Sequence, residues 1–457
     1  MATRNARRTP PISIHGEAAR LAQGTTTSVA IVSAALEYAR DSKGEGARVF
    51  TQLYAKRALA EAATQDQLRA GGTVASAIAG LPVSVKDLFD VEGTVTTAGS
   101  RVLADRPPAS ADAEIVSRLR RAGAVVVGKT NMTEFAYSGL GINPHYGTPR
   151  NPFERKRSLI PGGSSSGAAV CVSDGMAIAA IGTDTGGSVR VPAALCGIVG
   201  FKPTAARVPM TGGIPLSHTL DSAGPLAHTV ECCAVIDSVL AGEPHVPLPP
   251  VGIRGLRIGV AQTLVWDEAQ PHVIECVRAA LQRFSEAGAR IVELPLTELA
   301  DVRSVNAGGG LAGAESFWWH RELLAKRSAE YDPRVLARIE QGRTMSSSDY
   351  IDLLMARQRL QASATRSLVD VEAWAMPTVA CLAPEIAALA QDEAYFTANR
   401  LTLRNAALVN FLDGCAITLP CHPAGSAPVG ISLVGARGTD RRLLGIANSL
   451  AGWAAGR

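Results

Sequence analysis

Three stretches of the chain carry side chains able to do chemistry. Leu81-Pro-Val-Ser-Val-Lys86-Asp87 brings a lysine to the end of an apolar run. Pro161-Gly-Gly-Ser-Ser-Ser-Gly167 is a hydroxyl-rich glycine turn, and Gly182-Thr-Asp-Thr-Gly-Gly-Ser188-Val-Arg190 is a second. In the latter, Thr185, Gly186, Gly187 and Ser188 sit between an apolar run and a helical one. Glycines let the chain turn sharply and let a substrate approach main-chain N–H groups. Successive amides of this kind, reinforced by a helix N-terminus, make an oxyanion hole. Ser188 stands where it could attack a carbonyl held there. Strand alternation places Val83 and Val85 on one face, Ser84 and Lys86 on the other. A lysine on an interior strand is unusual, because buried lysine is almost always paired. Taken singly, each stretch also reads as plain structure: an N-cap serine, a close-packed helix start, a strand-end lysine reaching water. Asp184 and Arg190 read as partners that hold the second turn rather than as reactants.

Such groups need a rigid frame. From Gly80 to about Ala241, β-type runs at 82–86, 124–128 and 177–182 alternate with helical stretches and glycine-rich turns. That alternation suggests a layered α/β core. Residues 1–62, Ala-rich at 29–38, are predicted to form a helical arm on a main domain spanning 63–457. A Pro-rich linker at 242–255 leads to a strand (256–260), a helix (271–287) and a strand (290–294). The stretch 315–366 reads as amphipathic and helical, part of a variable cap at about 300–400. Late strands are predicted at 416–420 and 430–434.

Bulk properties narrow the function. The 457 residues are 47% hydrophobic and 19% charged, as in a compact globular enzyme. Basic residues number 45 and acidic ones 41. That balance argues against nucleic acid or an anionic membrane as partner. Arg4, Arg7 and Arg8 form a basic cluster with no apolar run behind it, so it reads as a polar tail, not a secretion signal. No apolar run reaches the ~18 residues of a membrane span. Eight cysteines without a Cys-x-x-Cys pair read as buried thiols, which fits a cytoplasmic location. Eight histidines lack ligand spacing, so neither a metal nor another cofactor is expected.

Two short motifs are set aside. Gly123-Ala-Val-Val-Val-Gly128-Lys129-Thr130 has Walker A spacing, but its middle is a strand former rather than a flexible turn. Gly163-Ser-Ser165-Ser-Gly167 fits the nucleophile elbow of an α/β-hydrolase esterase. That fold wants an Asp and a His later in the chain, and His218, His228 and His422 lie in no recognisable catalytic setting. The elbow also leaves Lys86 and the Ser188 turn unexplained.

Taken together, the three stretches resemble the amidase signature family, with Ser164 and Ser188 standing 24 residues apart. The likeness extends through Thr130-Asn-Met-Thr-Glu-Phe135, Leu419-Pro420 and Gly430-Ile-Ser-Leu-Val434-Gly435, over roughly residues 60–457. It implies one large α/β domain with a mixed, twisted sheet flanked by helices. It implies a Ser–cis-Ser–Lys triad: Ser188 as nucleophile, Ser164 after a cis peptide bond as relay, and neutral Lys86 as base. The amides of Thr185, Gly186, Gly187 and Ser188 would hold the oxyanion. The substrate implied is a small neutral amide, anilide or carbamate, cut at its C–N bond through an acyl-enzyme. Met132, Phe135 and Tyr137 are candidate pocket walls, because that segment lies beside the nucleophile in relatives; Phe317, Trp318 and Trp319 are further candidates. The catalytic subunit of a glutamine-dependent tRNA amidotransferase is an alternative. That subfamily usually runs Asp-Glu-Phe-Ala-Met-Gly-Ser-Ser where this chain has Thr133-Glu-Phe-Ala-Tyr137-Ser-Gly-Leu140. No protein partner is needed by the hydrolase reading, and a homodimer is compatible with it.

Overall fold

A computed structural model describes residues 13–456. The Arg4, Arg7 and Arg8 cluster and the first twelve residues of the expected arm lie outside the described residues. The strands are β1 (Phe50–Leu53), β2 (Pro82–Lys86), β3 (Val125–Thr130), β4 (Ala179–Asp184), β5 (Val199–Lys202), β6 (Ser222–Ala227), β7 (Arg257–Ala261), β8 (Arg290–Leu294), β9 (Ala373–Pro377), β10 (Cys415–Pro420) and β11 (Gly430–Gly435). They form one mixed sheet of 11 strands in the order β1-β3-β2-β4-β6-β5-β10-β11-β9-β7-β8. Strand β2 is parallel to both β3 and β4, whereas β6 runs antiparallel to β4.

Strands β2, β3 and β4 are buried along their whole length. Parallel strands covered on both faces read as continuous apolar runs, which Val125-Val-Val127 exemplifies. One face packs Val83, Val85, Val126 and Ile181 into the main core. The other packs Val125, Val127 and Ala180 against the helices Ser28–Arg40, Ala55–Ala70 and Ser166–Ser173. Small residues on Ser166–Ser173 (Gly167, Ala168, Ala169) let that helix pack closely on its neighbours; a Cβ on Gly167 would stand 2.5 Å from the Val49 carbonyl oxygen and 2.7 Å from the Asn131 backbone.

The expected helical stretch 315–366 is divided. Helices run Gly310–Arg327, Pro333–Glu340 and Ser347–Ser367. The divisions have local causes. Pro333 opens the second helix behind an Asp332 cap, and Ser346 with Asp349 forms a capping box for the third. Four strands escaped the sequence reading: β1, β5, β6 and β9. The supposed Walker A lysine, Lys129, lies within β3, its Nζ donating to the Val95 carbonyl and the Thr96 hydroxyl at 3.0 and 2.7 Å. No helix among the described residues is long and apolar enough to cross a membrane.

Candidate active site

Lys86 ends β2 and is fully buried. Its Nζ lies 2.7 Å from Ser164 Oγ and 2.8 Å from Thr183 Oγ1. Burial lowers its pKa to about 7, although Asp221 and Asp184 pull the other way. Ser164 is itself buried, and the Gly163–Ser164 peptide bond is cis. The segment carrying Met132, Phe135 and Tyr137 clasps this turn. Thr133 N–H donates to the Ser164 carbonyl at 3.0 Å, and Gly163 N–H donates to the Gly139 carbonyl at 2.7 Å. Space is tight there, since a Cβ on Gly163 would lie 2.5 Å from the Gly141 nitrogen.

Ser188 closes the turn between β4 and the helix Arg190–Cys196. Its carbonyl accepts from Ser165 N–H at 3.2 Å, which ties the two serine turns together. Asp184 shapes the turn from within. Its carboxylate accepts from Gly187 N–H at 2.8 Å and Val189 N–H at 3.1 Å, and forms a two-pronged pair with Arg190 at 2.9 and 3.0 Å. Asn410 adds a donor at 2.9 Å. Burial opposes the charge on Asp184, but Arg190, Lys202 and Asn410 hold its carboxyl well below the usual range. Gly187 has φ +120°, and a Cβ there would meet Ala406 at 2.5 Å, so only glycine fits.

This geometry corrects one expectation. The Gly187 N–H is turned inward and spent on Asp184, so it is not available to an oxyanion in this structure. The amides of Thr185, Gly186 and Ser188 are engaged by no hydrogen bond among the described residues. Three donors on one turn are sufficient to hold a developing negative oxygen.

Sequence reasoning also missed two neighbours. Thr183 is within the second motif, but its contact with Lys86 spans 97 residues. Asp221 is buried and accepts a hydrogen bond from the Thr185 hydroxyl; no spacing rule links it to the motif. The esterase elbow fails here. Gly163 is preceded by no sheet strand, and the Ser165 hydroxyl is buried against the Thr183 carbonyl at 3.4 Å. Among the candidate walls, Met132, Phe135 and Tyr137 are buried. Phe135 packs edge-on against His320 with ring centroids 4.3 Å apart. Trp318 is 54% exposed and packs against His218. Among the described residues, no group of three or more His, Cys, Asp or Glu side chains could hold a metal.

A family profile described as Amidase matches residues 32–444. The chain belongs to the amidase family. It is accordingly an amidohydrolase, acting on carbon–nitrogen bonds other than peptide bonds. The chain is 39% identical over 446 residues to 2-amino-5-chloromuconic acid deaminase of Comamonas testosteroni, covering 95% of each chain. It is 34% identical over 468 residues to one subunit of the glutamyl-tRNA(Gln) amidotransferase of Roseiflexus sp. (strain RS-1), covering 94% of this chain and 93% of that one. A solved amidase structure superposes with a TM-score of 0.86 at 31% identity, covering 97% of this chain and 99% of that one. These likenesses also establish the amidase fold, a single sheet with helices on both faces.

Proposed function

We propose that the protein hydrolyses a small amide or carbamate through an acyl-enzyme on Ser188. One observation carries this reading: a fully buried lysine, its pKa lowered to about 7, lies 2.7 Å from the hydroxyl of a serine whose turn is bonded to the Ser188 turn. Ser188 Oγ attacks the carbonyl carbon. Its proton passes to Ser164 Oγ as the Ser164 proton passes to neutral Lys86, while Thr183 accepts a hydrogen bond from Nζ. The tetrahedral oxyanion rests on the amides of Thr185, Gly186 and Ser188. The C–N bond then breaks, Ser164 protonates the leaving amine, and the Lys86 ammonium restores the Ser164 proton. Water, deprotonated through the same relay, releases the acyl group.

The substrate reading is a small, largely neutral molecule with an aromatic or apolar portion. The buried Met132, Phe135 and Tyr137, on the segment that clasps Ser164, support it. A second reading has its own observation. The half-buried Arg338 stacks 4.5 Å over the Tyr137 ring and donates to the Tyr137 carbonyl at 2.9 Å. A guanidinium there would receive a substrate carboxylate, as a muconic acid derivative would carry. The amidotransferase reading requires a partner protein, whereas the hydrolase reading does not. A homodimer and a cytoplasmic location complete the proposal; eight free, buried cysteines support the latter. The test is a panel of anilides, primary amides, ureas, aryl carbamates and carboxylated amides offered to the isolated chain. Turnover of neutral anilides or carbamates supports the first reading. Turnover confined to carboxylated amides, abolished in Arg338→Met, supports the second. Glutaminase activity only with a partner protein overturns both.

A further inference from the structure

Strand β6 begins one residue after Asp221. It pairs antiparallel with β4 in a register that sets Ser222 opposite Asp184. The residues just beyond that pair, Asp221 and Thr185, therefore face each other across the end of the ladder. Their side chains meet there: the Thr185 hydroxyl donates to Asp221 Oδ1. The other carboxylate oxygen is fixed independently, accepting from the Leu216 and Ser217 amides at 2.9 and 3.2 Å. The segment 216–221 is anchored in turn by the buried Glu315. That carboxylate accepts from the Ser217 hydroxyl at 2.5 Å, the Thr219 amide at 3.0 Å and the Tyr350 hydroxyl at 2.8 Å, and from the Thr219 hydroxyl. Asp221 is thus a rigid post standing against the first residue of the oxyanion-binding turn.

We propose that Asp221 is a positioning residue of the hydrolysis, holding Thr185 so that its amide faces the substrate carbonyl. The inference rests on the acyl-enzyme reading of Ser188. Asp221 also bears on the electrostatics of the site. Two buried carboxylates act on Lys86, Asp221 more strongly than Asp184. Asp184 is already neutralised by its ion pair with Arg190 and by Lys202. No arginine, lysine or histidine forms an ion pair with Asp221 among the described residues, and Lys86 favours its charged form. Burial raises the Asp221 pKa to about 6, against the hydrogen bonds from Thr185, Ser217 and Leu216.

Charge and position separate experimentally. Asp221→Asn keeps an oxygen for Thr185 but removes the charge. Thr185→Val keeps the charge but removes the bond, and Thr185→Ser restores it. With kcat, KM and the pH profile measured on a substrate found by the panel, Asp221→Asn is expected to move the rising limb to lower pH and to reduce kcat roughly 10- to 100-fold with little change in KM. Thr185→Val is expected to lower kcat about tenfold without moving the limb, and Thr185→Ser to recover most of that loss. Wild-type kcat and an unmoved limb in Asp221→Asn, with Ser188→Ala inactive, would overturn the inference while leaving the nucleophile in place. Activity persisting in Ser188→Ala would instead overturn the reading beneath it. Should Asp221→Asn fail to fold, the Thr185 pair decides: equal kcat in Thr185→Val, Thr185→Ser and wild type overturns the inference.

Discussion

Strands β2 and β4 bury every residue from Pro82 to Lys86 and from Ala179 to Asp184, whereas the helix Ser347–Ser367 buries a single side chain, Ala364. Ile351 and Met355 of that helix are 56% and 49% exposed. The polar groups differ in the same way. Around Ser188, Asp184 meets Arg190 with neither side chain exposed, and each carboxylate oxygen has several donors. In the helical region, pairs such as Arg343 with Glu340 lie at the surface. Surface pairs contribute little, because water screens them and the side chains lose freedom in making them. Buried pairs are different: removing one partner strands a charge. The reacting groups sit on fully buried strands, whereas the exposed face of Ser347–Ser367 is free to change; the exception on that helix is Tyr350, which donates to Glu315 behind the 216–221 segment.

That contrast can be broken from the buried side first. Ser188→Ala is expected to reduce kcat/KM roughly 10⁴-fold or more, since it removes the oxygen that attacks the carbonyl. A progress-curve assay with the purified, folded variant measures it. Lys86→Ala should be nearly as severe. In the wild type, the neutral amine is the working form, so activity should rise with pH through a limb centred near 7 and level off above it. The variant should lose that limb, which residual rates between pH 6 and 9 would reveal.

Asp184→Asn shifts the effect from rate to stability as well. It leaves Arg190 buried without its counter-charge, at a cost of roughly 3–5 kcal/mol, readable in urea unfolding. Because Asp184 is held below its ordinary pKa, its stabilising contribution is complete above the usual carboxylate range of ~3.9. It is lost as pH falls through the lower, folded-state pKa, so wild type and variant should converge in stability only in strong acid. The smallest effect belongs to the exposed helix. Ile351→Ser and Met355→Ser should each change stability by no more than about 0.5 kcal/mol and leave kcat unchanged. A large loss of activity there would show that the surface helix is part of the reacting machinery after all.

The reacting groups are legible in the sequence because their chemistry is local. A glycine turn after β4 and a lysine at the end of β2 announce themselves by residue type. The partners are not local. Asp221 reaches Thr185 only through the β4–β6 register, and β6 itself, Ser222-Ala-Gly-Pro-Leu-Ala227, contains a glycine and a proline that argue against a central strand. Residue types also do not say which way an amide points, so they place Gly187 among the oxyanion donors although Asp184 holds its N–H. The division of 315–366 into three helices is legible in principle, from Pro333 and the Ser346–Asp349 capping box. Periodicity alone runs across both signals.

The Ser188 acyl-enzyme, formed with Lys86 as base, can be trapped. The wild-type protein would be mixed rapidly with an aryl carbamate, quenched at successive times and pH values, digested, and the modified peptide identified by mass spectrometry. The wild type is expected to carry one carbamoyl group on Ser188, formed as the carbamate's C–O bond breaks and the phenol leaves in the amine's place, at a rate that climbs through pH 7 and is lost in Lys86→Ala. A carbamoyl group on Ser164 or Ser165 instead, or a rate on Ser188 that is flat with pH and indifferent to Lys86, would contradict a Ser188 acyl-enzyme formed with Lys86 as base.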